Sequence, residues 1–227
     1  MLPAMIFRDR IDAGEQLAQE IHRTITKIEP VSSVAPSPIV YALPRGGLPV
    51  AVPIARILRC PLDIVVAKKI SHPKNPELAI GAVTADGSIL WDEQTPLRLR
   101  NSQQGQAALK ESLKKAKQQL TILNSGRPQP NLNNNFAILV DDGIATGMTM
   151  AVAAQALRAQ NPAAEVWLCA PVAPLSLLPW LDGWGDRVIL LEAPESFLSV
   201  SRFYAEFPQV ETEEALACLQ QQKEWLE

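Results

Sequence analysis

The chain has 227 residues, of which 47% are hydrophobic and 20% are charged, and its net charge is −3. This length is enough for one sizeable core, and the composition is ordinary for a globular protein. The slight acidic excess argues against general binding to nucleic acids or anionic membranes, both of which favour a basic surplus. We therefore expect no nucleic-acid and no membrane partner.

Cysteine and histidine are scarce and scattered. Cys60, Cys169 and Cys218 have no metal-binding spacing, and their odd number favours buried, reduced thiols in a cytoplasmic protein. The only histidines are His22 and His72, so we expect no histidine-based metal site. The first ten residues contain no long apolar stretch, which argues against a secretory signal.

Helices and strands alternate along the sequence. In chain order, we predict helix 11–28, strand 39–43, helix 48–59, strand 62–70, two strands within 78–93, helix 103–123, strand 136–140, helix 148–160, strands 164–173 and 186–193, and a helical tail at 211–227. A proline-rich loop is expected at 71–77, and a turn at Asp86–Gly87 should join the paired strands.

This alternation predicts an α/β fold with an open, mostly parallel sheet and helices on both faces. Ligands of such sheets bind beyond the carboxyl ends of the strands. Three loops are therefore candidate binding segments: 44–47 after the first strand, 68–77 after the second, and 141–149 after the strand that begins at Phe136.

The stretch "LVDDGIATGMTM", residues 139–150, combines two acids with a loop of glycine and threonine. Gly143 and Gly147 permit tight turns, and a loop that leads into a helix favours a phosphate through its free N–H groups and the helix dipole. Carboxylates accept hydrogen bonds from a sugar diol. A ligand containing ribose 5-phosphate explains both features, with its hydroxyls on Asp141 and Asp142 and its phosphate on the loop.

Other interpretations of the two acids explain less of the sequence. An ATPase that holds Mg²⁺ on such an acidic strand end needs a phosphate loop of the form GxxxxGK[ST], and a dinucleotide fold needs GxGxxG. The sequence contains neither motif. Capping of the following helix would account for one aspartate, but it would leave the second aspartate and the Gly/Thr run unexplained.

The segment "ILVDDGIATGMTM" resembles the phosphoribosyl diphosphate (PRPP) binding motif of type I phosphoribosyltransferases. Together with "LPRGG" and the N-terminal pattern "FRDR–DAG–LA", it is most similar to uncharacterised bacterial proteins with a phosphoribosyltransferase domain. The resemblance implies the type I fold with a small hood. It also implies a core domain at 1–195, which includes the N-terminal helix, and a tail at 196–227 that contributes to the hood.

The resemblance implies a role for each motif residue. Asp141 and Asp142 would bind the ribose hydroxyls. The PRPP-binding stretch continues through Gly143 and Ile144, and the 5-phosphate would lie in the loop formed by Ala145, Thr146, Gly147, Met148 and Thr149. Pyrophosphate would be bound by Arg45, Gly46, Gly47, Lys68 and Lys69. Arg45 and Lys68 would assist catalysis, and Mg²⁺ would be held mainly by PRPP and not directly by the protein.

Alternation along a strand predicts that only one of Lys68 and Lys69 faces the pyrophosphate. The segment 71–79, "SHPKNPELA", matches the family's mobile loop in position and composition, and His72 within it is a weak candidate acid. Ala145 replaces the carboxylate found in enzymes for 6-oxopurines, which argues against hypoxanthine or guanine as the acceptor. An aromatic ring of the tail could stack on a planar acceptor, although core packing better explains most of Phe197, Phe203, Tyr204 and Phe207.

The reaction implied is PRPP-dependent transfer of a phosphoribosyl group to an unidentified acceptor, for which a nucleobase is one candidate, with release of pyrophosphate. A non-catalytic protein that binds PRPP or a nucleotide for regulation is the main alternative. Use of the same pocket by a nucleotide phosphatase or phosphorylase is a weaker one. A homodimer is a possible assembly, and PRPP and an acceptor are the expected small-molecule partners.

Overall fold

The computed structural model describes residues 6–27, 37–124, 135–162 and 164–226. In chain order the elements are α1 Arg10–Lys27, β1 Ser37–Ala42, α2 Gly47–Leu58, β2 Leu62–Ile64, β3 Ala67–His72, β4 Asn75–Thr84, β5 Ile89–Trp91, α3 Leu97–Arg100, α4 Gln103–Leu123, β6 Asn135–Val140, α5 Met148–Gln160, β7 Val166–Val172, α6 Leu178–Trp184, β8 Arg187–Glu192, α7 Thr212–Gln220 and α8 Lys223–Leu226. Single 3₁₀ turns lie at Leu175–Leu177 and Val200–Phe203.

A five-stranded parallel sheet forms the centre of the molecule, in the order β2-β1-β6-β7-β8. Alternate residues of its strands point to opposite faces, and both faces are apolar. Val40 and Ile138 pack toward α1, α2 and α7, whereas Ile39 and Leu139 pack toward α5 and α6. This arrangement confirms the predicted α/β fold with a parallel sheet between helical layers.

The predicted single strand 62–70 is wrong, because the chain changes sheets at Val65 and Val66. Pairing with β1 stops just after β2, where the Val65 N–H donates to the Ala42 carbonyl at 3.1 Å. β3 then joins a separate antiparallel sheet in the order β3-β4-β5. A continuous apolar run predicts extended backbone, but it does not specify which neighbouring strand each residue pairs with.

The predicted loop at 71–77 is also wrong, because these residues form the tip of the β3–β4 hairpin. The register shifts between Ile70 and Ser71 and again between Ser71 and His72, and pairing resumes at His72 and Asn75. Both prolines are accommodated. Pro73 lies in the turn, and Pro76 lies at the register shift, between the paired residues Asn75 and Ala79, so its missing N–H interrupts no residue pair of the sheet. The Asp86–Gly87 turn was predicted correctly and joins β4 to β5.

Side chains form hydrogen bonds with the backbone groups on the outer edge of β2, which is three residues long. Gln222 is buried and pairs with both backbone groups of Leu62, accepting from its N–H at 3.2 Å and donating to its carbonyl at 3.1 Å. Asp63 accepts from the Ile64 N–H, and the Trp225 indole donates to the Cys60 carbonyl at 3.0 Å. The C-terminal helices therefore complete the sheet at this edge.

The three cysteines are buried and free of disulfides, as expected. Burial raises the pKa of the Cys60 thiol to about 12 and that of Cys218 to about 11. Among the described residues, none of the helices is long and apolar enough to cross a membrane. The short helices α3 and α6 were not predicted, because proline interrupts the apolar pattern around both.

Gly14→Ala should destabilise the fold. The α1 and α2 backbones approach so closely at Gly14 that an added Cβ would lie 2.5 Å from the Val50 carbonyl oxygen. Overpacking of this kind costs about 1–3 kcal/mol, which the gain of about 0.5–1 kcal/mol from removing a helical glycine offsets only in part. Urea unfolding should show a net loss of about 1 kcal/mol. Gly183→Ala is the matched control, since an added Cβ meets nothing within 4 Å there. Equal stability of both variants would contradict this prediction.

Candidate active site

Two of the three predicted loops meet at one point on the edge of the parallel sheet. The strand order reverses between β1 and β6, and the carboxyl ends of these adjacent strands carry residues 43–47 and 141–149. The Leu43 N–H donates to the Val140 carbonyl at 2.8 Å, which joins the two strand ends. A reversal of this kind leaves a crevice outside the sheet, where ligands of α/β proteins bind. A cavity of about 270 Å³ lies there, and its walls include Arg45, Gly46, Asp141, Asp142 and Thr149.

The two acids follow β6 directly and lie in a poorly solvated environment. The Asp141 carboxylate accepts a hydrogen bond from the Asp142 N–H at 2.9 Å. Burial and the neighbouring Asp142 charge raise the pKa of Asp141 well above its ordinary value. Burial also raises the pKa of Asp142, although Arg10 opposes this shift. Two adjacent carboxylates with few partners are suited to accept hydroxyl donors or cations from a ligand.

Arg10, which the sequence did not single out, contacts Asp142 from the first turn of α1. Its Nε lies 2.8 Å from Asp142 Oδ2, and only 9% of the Arg10 side chain is exposed. Its Nη1 donates to the Pro208 carbonyl at 2.6 Å, and its guanidinium carbon lies 3.7 Å from the centre of the Phe207 ring. The Tyr204 hydroxyl donates to the Asp142 carbonyl at 2.6 Å. Residues near both ends of the chain thus hold Asp142.

The segment 44–47 brings backbone next to these acids. The Pro44–Arg45 peptide bond is cis. A Cβ added to Gly46 would collide with the Asp142 carboxylate, and one added to Gly47 would lie 2.7 Å from the Val140 carbonyl oxygen. Only glycine permits this close approach. The Arg45 Nη1 donates to Thr212 Oγ1 at 3.0 Å, and the Gly47 N–H is used within the segment, donating to the Leu43 carbonyl at 3.0 Å. The Arg45 guanidinium is therefore the group of this segment that suits an anion.

The loop after the acids turns into α5 without a side-chain cap. Gly147 has φ = 73°, a conformation that favours glycine, and no side chain caps the first turn of the helix. The Ile144 N–H donates to the Val172 carbonyl at 2.9 Å, which fixes the base of the loop, whereas Ala145 and Thr146 are exposed. The uncapped N–H groups of α5 are therefore open to an anion.

The two lysines lie on β3, in the antiparallel sheet and not on a strand of the parallel one. Lys68 is half-buried and Lys69 is exposed. Burial lowers the pKa of Lys68, and the positive charges of Arg45 and Lys115 lower it further. The charge of Lys69 favours ionisation of Asp141. Both lysines therefore lie within electrostatic reach of the crevice, while Ala67, just before them, lines its wall.

The tail aromatics pack mainly against one another and against Phe7. Phe203 and Tyr204 are buried with Phe7 in one cluster, where Phe197 stacks on Phe203 at 5.6 Å. The Phe207 ring is covered by Arg10. Core packing, the favoured interpretation in the sequence, accounts for these contacts. His72 lies in the hairpin, where its Nδ1 accepts from the Lys74 N–H at 3.1 Å.

The residues that sequence reasoning missed are Arg10, Gln209, Val210 and Thr212. Arg10 and Asp142 are separated by 132 positions, and no local pattern relates them. Gln209 and Val210 line the cavity from a segment without helix or strand. In the sequence, the one signal that pointed to Arg10 was the "FRDR" pattern that contains it. The family resemblance includes this pattern but implies no role for Arg10.

The phosphoribosyl transferase domain family matches residues 5–203 of the chain, and the chain belongs to that family. Two similar curated proteins come from strains of Mycobacterium tuberculosis, CDC 1551 / Oshkosh and H37Rv. Their names provisionally assign them as phosphoribosyl transferases. Each is 35% identical over 215 residues, which is 94% of this chain and 46% of the relative. The chain thus spans about half the length of the curated relatives it matches.

Solved structures agree on the architecture. The crystal structure of TT1426 from Thermus thermophilus has a TM-score of 0.73 and 31% identity, and the match covers 97% of this chain and 99% of that one. The AQ2163 protein from Aquifex aeolicus has a TM-score of 0.50 at 11% identity, covering 86% and 85% of the two chains, and shows the fold alone.

Proposed function

We propose that this chain transfers the phosphoribosyl group of PRPP to a small-molecule acceptor and releases pyrophosphate. The observation that carries the proposal is the direct apposition of Gly46 to Asp142. Segment 44–47 and the pair of carboxylates are adjacent in the lining of one cavity, which supports a ligand that contacts both. PRPP has a sugar diol, a 5-phosphate and a pyrophosphate, and each of these groups has a suitable counterpart around the crevice.

In this proposal the acids hold the ribose. One oxygen of Asp142 is committed to Arg10, and Asp141 accepts the Asp142 N–H. The remaining carboxylate oxygens accept the two sugar hydroxyls. The 5-phosphate lies on the 143–149 loop, where the uncapped N–H groups at the start of α5 bind it. These contacts orient the anomeric carbon toward the cavity.

The reaction is a displacement at that carbon. The acceptor nucleophile forms a bond to the anomeric carbon, the carbon–oxygen bond to pyrophosphate breaks, and its electron pair leaves on the pyrophosphate oxygen. Negative charge grows on the leaving group, and Arg45 and Lys68, whose positive charges lie close enough to act on each other, stabilise it. The lowered pKa of Lys68 reflects a poorly solvated cation, for which an anionic ligand is a favourable partner.

The donor set is compatible with Mg²⁺ held mainly by the ligand. The described residues contain no group of three or more His, Cys, Asp or Glu side chains that could hold a metal ion. Mg²⁺ commonly binds through one or two carboxylates together with substrate phosphates and water, and Asp141 and Asp142 are the carboxylates present. When bound, Mg²⁺ supplies neutralisation of charge on the pyrophosphate oxygens.

PRPP with Mg²⁺ should raise the melting temperature of the protein. At a ligand concentration of about 100 times Kd, mass action adds about 2.7 kcal/mol of stability, which corresponds to a shift of about 5–10 °C for a chain of this size. Thermal denaturation with millimolar PRPP measures the shift, and adenosine without phosphates is the control. A well-folded protein that shows no shift would count against the proposal.

Incubation with PRPP, Mg²⁺ and a panel of nucleobases, followed by measurement of pyrophosphate, distinguishes the two function classes. Acceptor-dependent release of pyrophosphate supports the transferase. Binding of PRPP without release for any acceptor would favour the alternative, a regulatory protein that binds PRPP without turnover.

A further inference from the structure

The start of the described chain meets the segment before α7 beside the site, and together they form a unit that we call the terminal clamp, residues 6–10 and 203–212. The N–H groups of Ile6 and Phe7 donate to the Phe203 carbonyl at 3.0 and 2.9 Å. The Phe7 carbonyl also accepts a hydrogen bond from the Ala205 N–H at 2.8 Å. Phe7, Phe203 and Tyr204 are almost fully buried. The clamp is therefore a packed part of the fold and can hold other side chains in place.

From one side of the clamp, Arg10 fixes the carboxylate of Asp142. The guanidinium is held in three ways: by Asp142 Oδ2 at 2.8 Å, by the Pro208 carbonyl at 2.6 Å, and by the Phe207 ring beneath it. A group restrained by all three contacts keeps one orientation. Because it occupies Oδ2, the other oxygen of Asp142 is the one left for a ligand.

Arg10 also offsets the electrostatic repulsion between the two neighbouring carboxylates. Asp142 lies beside the half-buried Asp141, and the two charges repel each other. Without a cation, the Asp142 carboxylate would bind a proton or rotate away from its neighbour. The ion pair with Arg10 favours the ionised, oriented form that a sugar hydroxyl requires.

From the other side of the clamp, Thr212 fixes Arg45. Thr212 is the first residue of α7, and Ala215, Cys218 and Leu219 of that helix are buried in the main core. Its hydroxyl accepts from Arg45 Nη1 at 3.0 Å. This contact leaves the other guanidinium donors of Arg45 for a ligand and restrains a long side chain that would otherwise lose much rotamer freedom on binding.

We propose that Arg10 and Thr212 are positioning residues that organise the two halves of the site separately: Arg10 orients Asp142 toward the sugar, and Thr212 orients Arg45 toward the pyrophosphate. The inference rests on the proposed function. The two contacts share no residue, so their effects on ligand binding should also be separate.

A crossed binding experiment tests this separation. Calorimetry with ribose 5-phosphate and with pyrophosphate plus Mg²⁺ is carried out on Arg10→Ala and Thr212→Val. Arg10→Ala should weaken ribose 5-phosphate about tenfold and change pyrophosphate by less than about twofold. Thr212→Val should weaken pyrophosphate about threefold and leave ribose 5-phosphate within about twofold.

Matched controls separate positioning from a general structural role. Arg8→Ala removes an exposed arginine of the same segment, and Thr121→Val repeats the threonine change on the exposed face of α4, so neither should affect either ligand. Arg10→Lys keeps the charge but cannot bind Asp142 and Pro208 in the same way, so it should restore part of the lost affinity for ribose 5-phosphate. It also serves as the test variant if Arg10→Ala does not fold.

The outcomes distinguish this inference from the proposed function. A wild-type protein that binds neither ligand would overturn the proposed function. A wild-type protein that binds both, with variants that weaken both ligands to the same extent, would overturn the positioning roles and leave the proposed function standing.

Discussion

Replacing Gly46 by alanine should reduce PRPP affinity by about 10- to 100-fold, because the added methyl group would occupy the position of the Asp142 carboxylate. The carboxylate cannot simply move away. Arg10 holds it by a hydrogen-bonded ion pair, and the Tyr204 hydroxyl holds the adjacent carbonyl. The variant must therefore displace either the acid or segment 44–47, and in both cases the two walls of the cavity lose their alignment.

The measurement for Gly46→Ala is PRPP affinity by calorimetry, accompanied by circular dichroism to confirm folding. Gly46 has φ = −60°, which alanine also adopts, so backbone conformation is not the cause of the loss. Gly183→Ala again serves as the control, since a methyl group has open space there. Undiminished PRPP binding by a folded Gly46→Ala protein would rule out a ligand that bridges these two walls.

Asp141→Asn should stabilise the folded protein while weakening PRPP binding about tenfold. Burial and the Asp142 charge raise the pKa of Asp141 in the folded state. The folded protein therefore binds this proton more tightly than the unfolded chain, whose aspartate has an ordinary pKa of 3.8. The resulting stability is present in full below about pH 4 and is lost as the pH rises through the raised pKa.

Asparagine stays neutral at every pH, so the variant avoids this loss. Its melting temperature should exceed that of the wild type at pH 8, and the difference should shrink as the pH falls toward 4. Its side-chain oxygen can still accept the Asp142 N–H. Inorganic phosphate, which in the proposed function binds the loop and not the two acids, should bind with unchanged or slightly higher affinity, because a nearby negative charge has been removed.

Asp142→Asn is the matched comparison and should act on stability in the opposite direction. Arg10 is nearly buried and loses its charged partner in this variant, which should cost about 1–3 kcal/mol. Its PRPP affinity should also fall about tenfold. If Asp141→Asn lowers stability at pH 8 as Asp142→Asn does, or if phosphate binding falls along with PRPP binding, the acids shape the loop and do not bind the sugar.

The sequence predicted the parts of the fold and site that depend on local pattern. The helix 148–160 and the strand that ends at Val140 were placed correctly because hydrophobic periodicity and turn residues are local signals. The meeting of segments 44–47 and 141–149 followed from a general rule, that the carboxyl ends of parallel strands share one edge. Whether those residues bind PRPP stays a prediction.

The rest depends on contacts between distant parts of the chain. Arg10 reaches Asp142, and Thr212 reaches Arg45 across 167 positions, and neither pair leaves a periodic or compositional trace. The run "LDIVVAKKI" has uniform strand character, yet the partner of its first half is β1 and the partner of its second half is β4. Pairing choice is a property of the whole fold, so a single sequence window cannot contain it.

The buried carboxamide of Gln222 limits how this sheet can associate. Exposed strand edges promote aggregation and domain swapping because they offer unpaired donors and acceptors to another chain. At Leu62 both groups are already taken by a side chain that imitates a neighbouring strand, and Asp63 takes the next donor. Extension of the sheet from β2 into a second molecule is therefore disfavoured. Variants of Gln222 should be tested for aggregation as well as for stability.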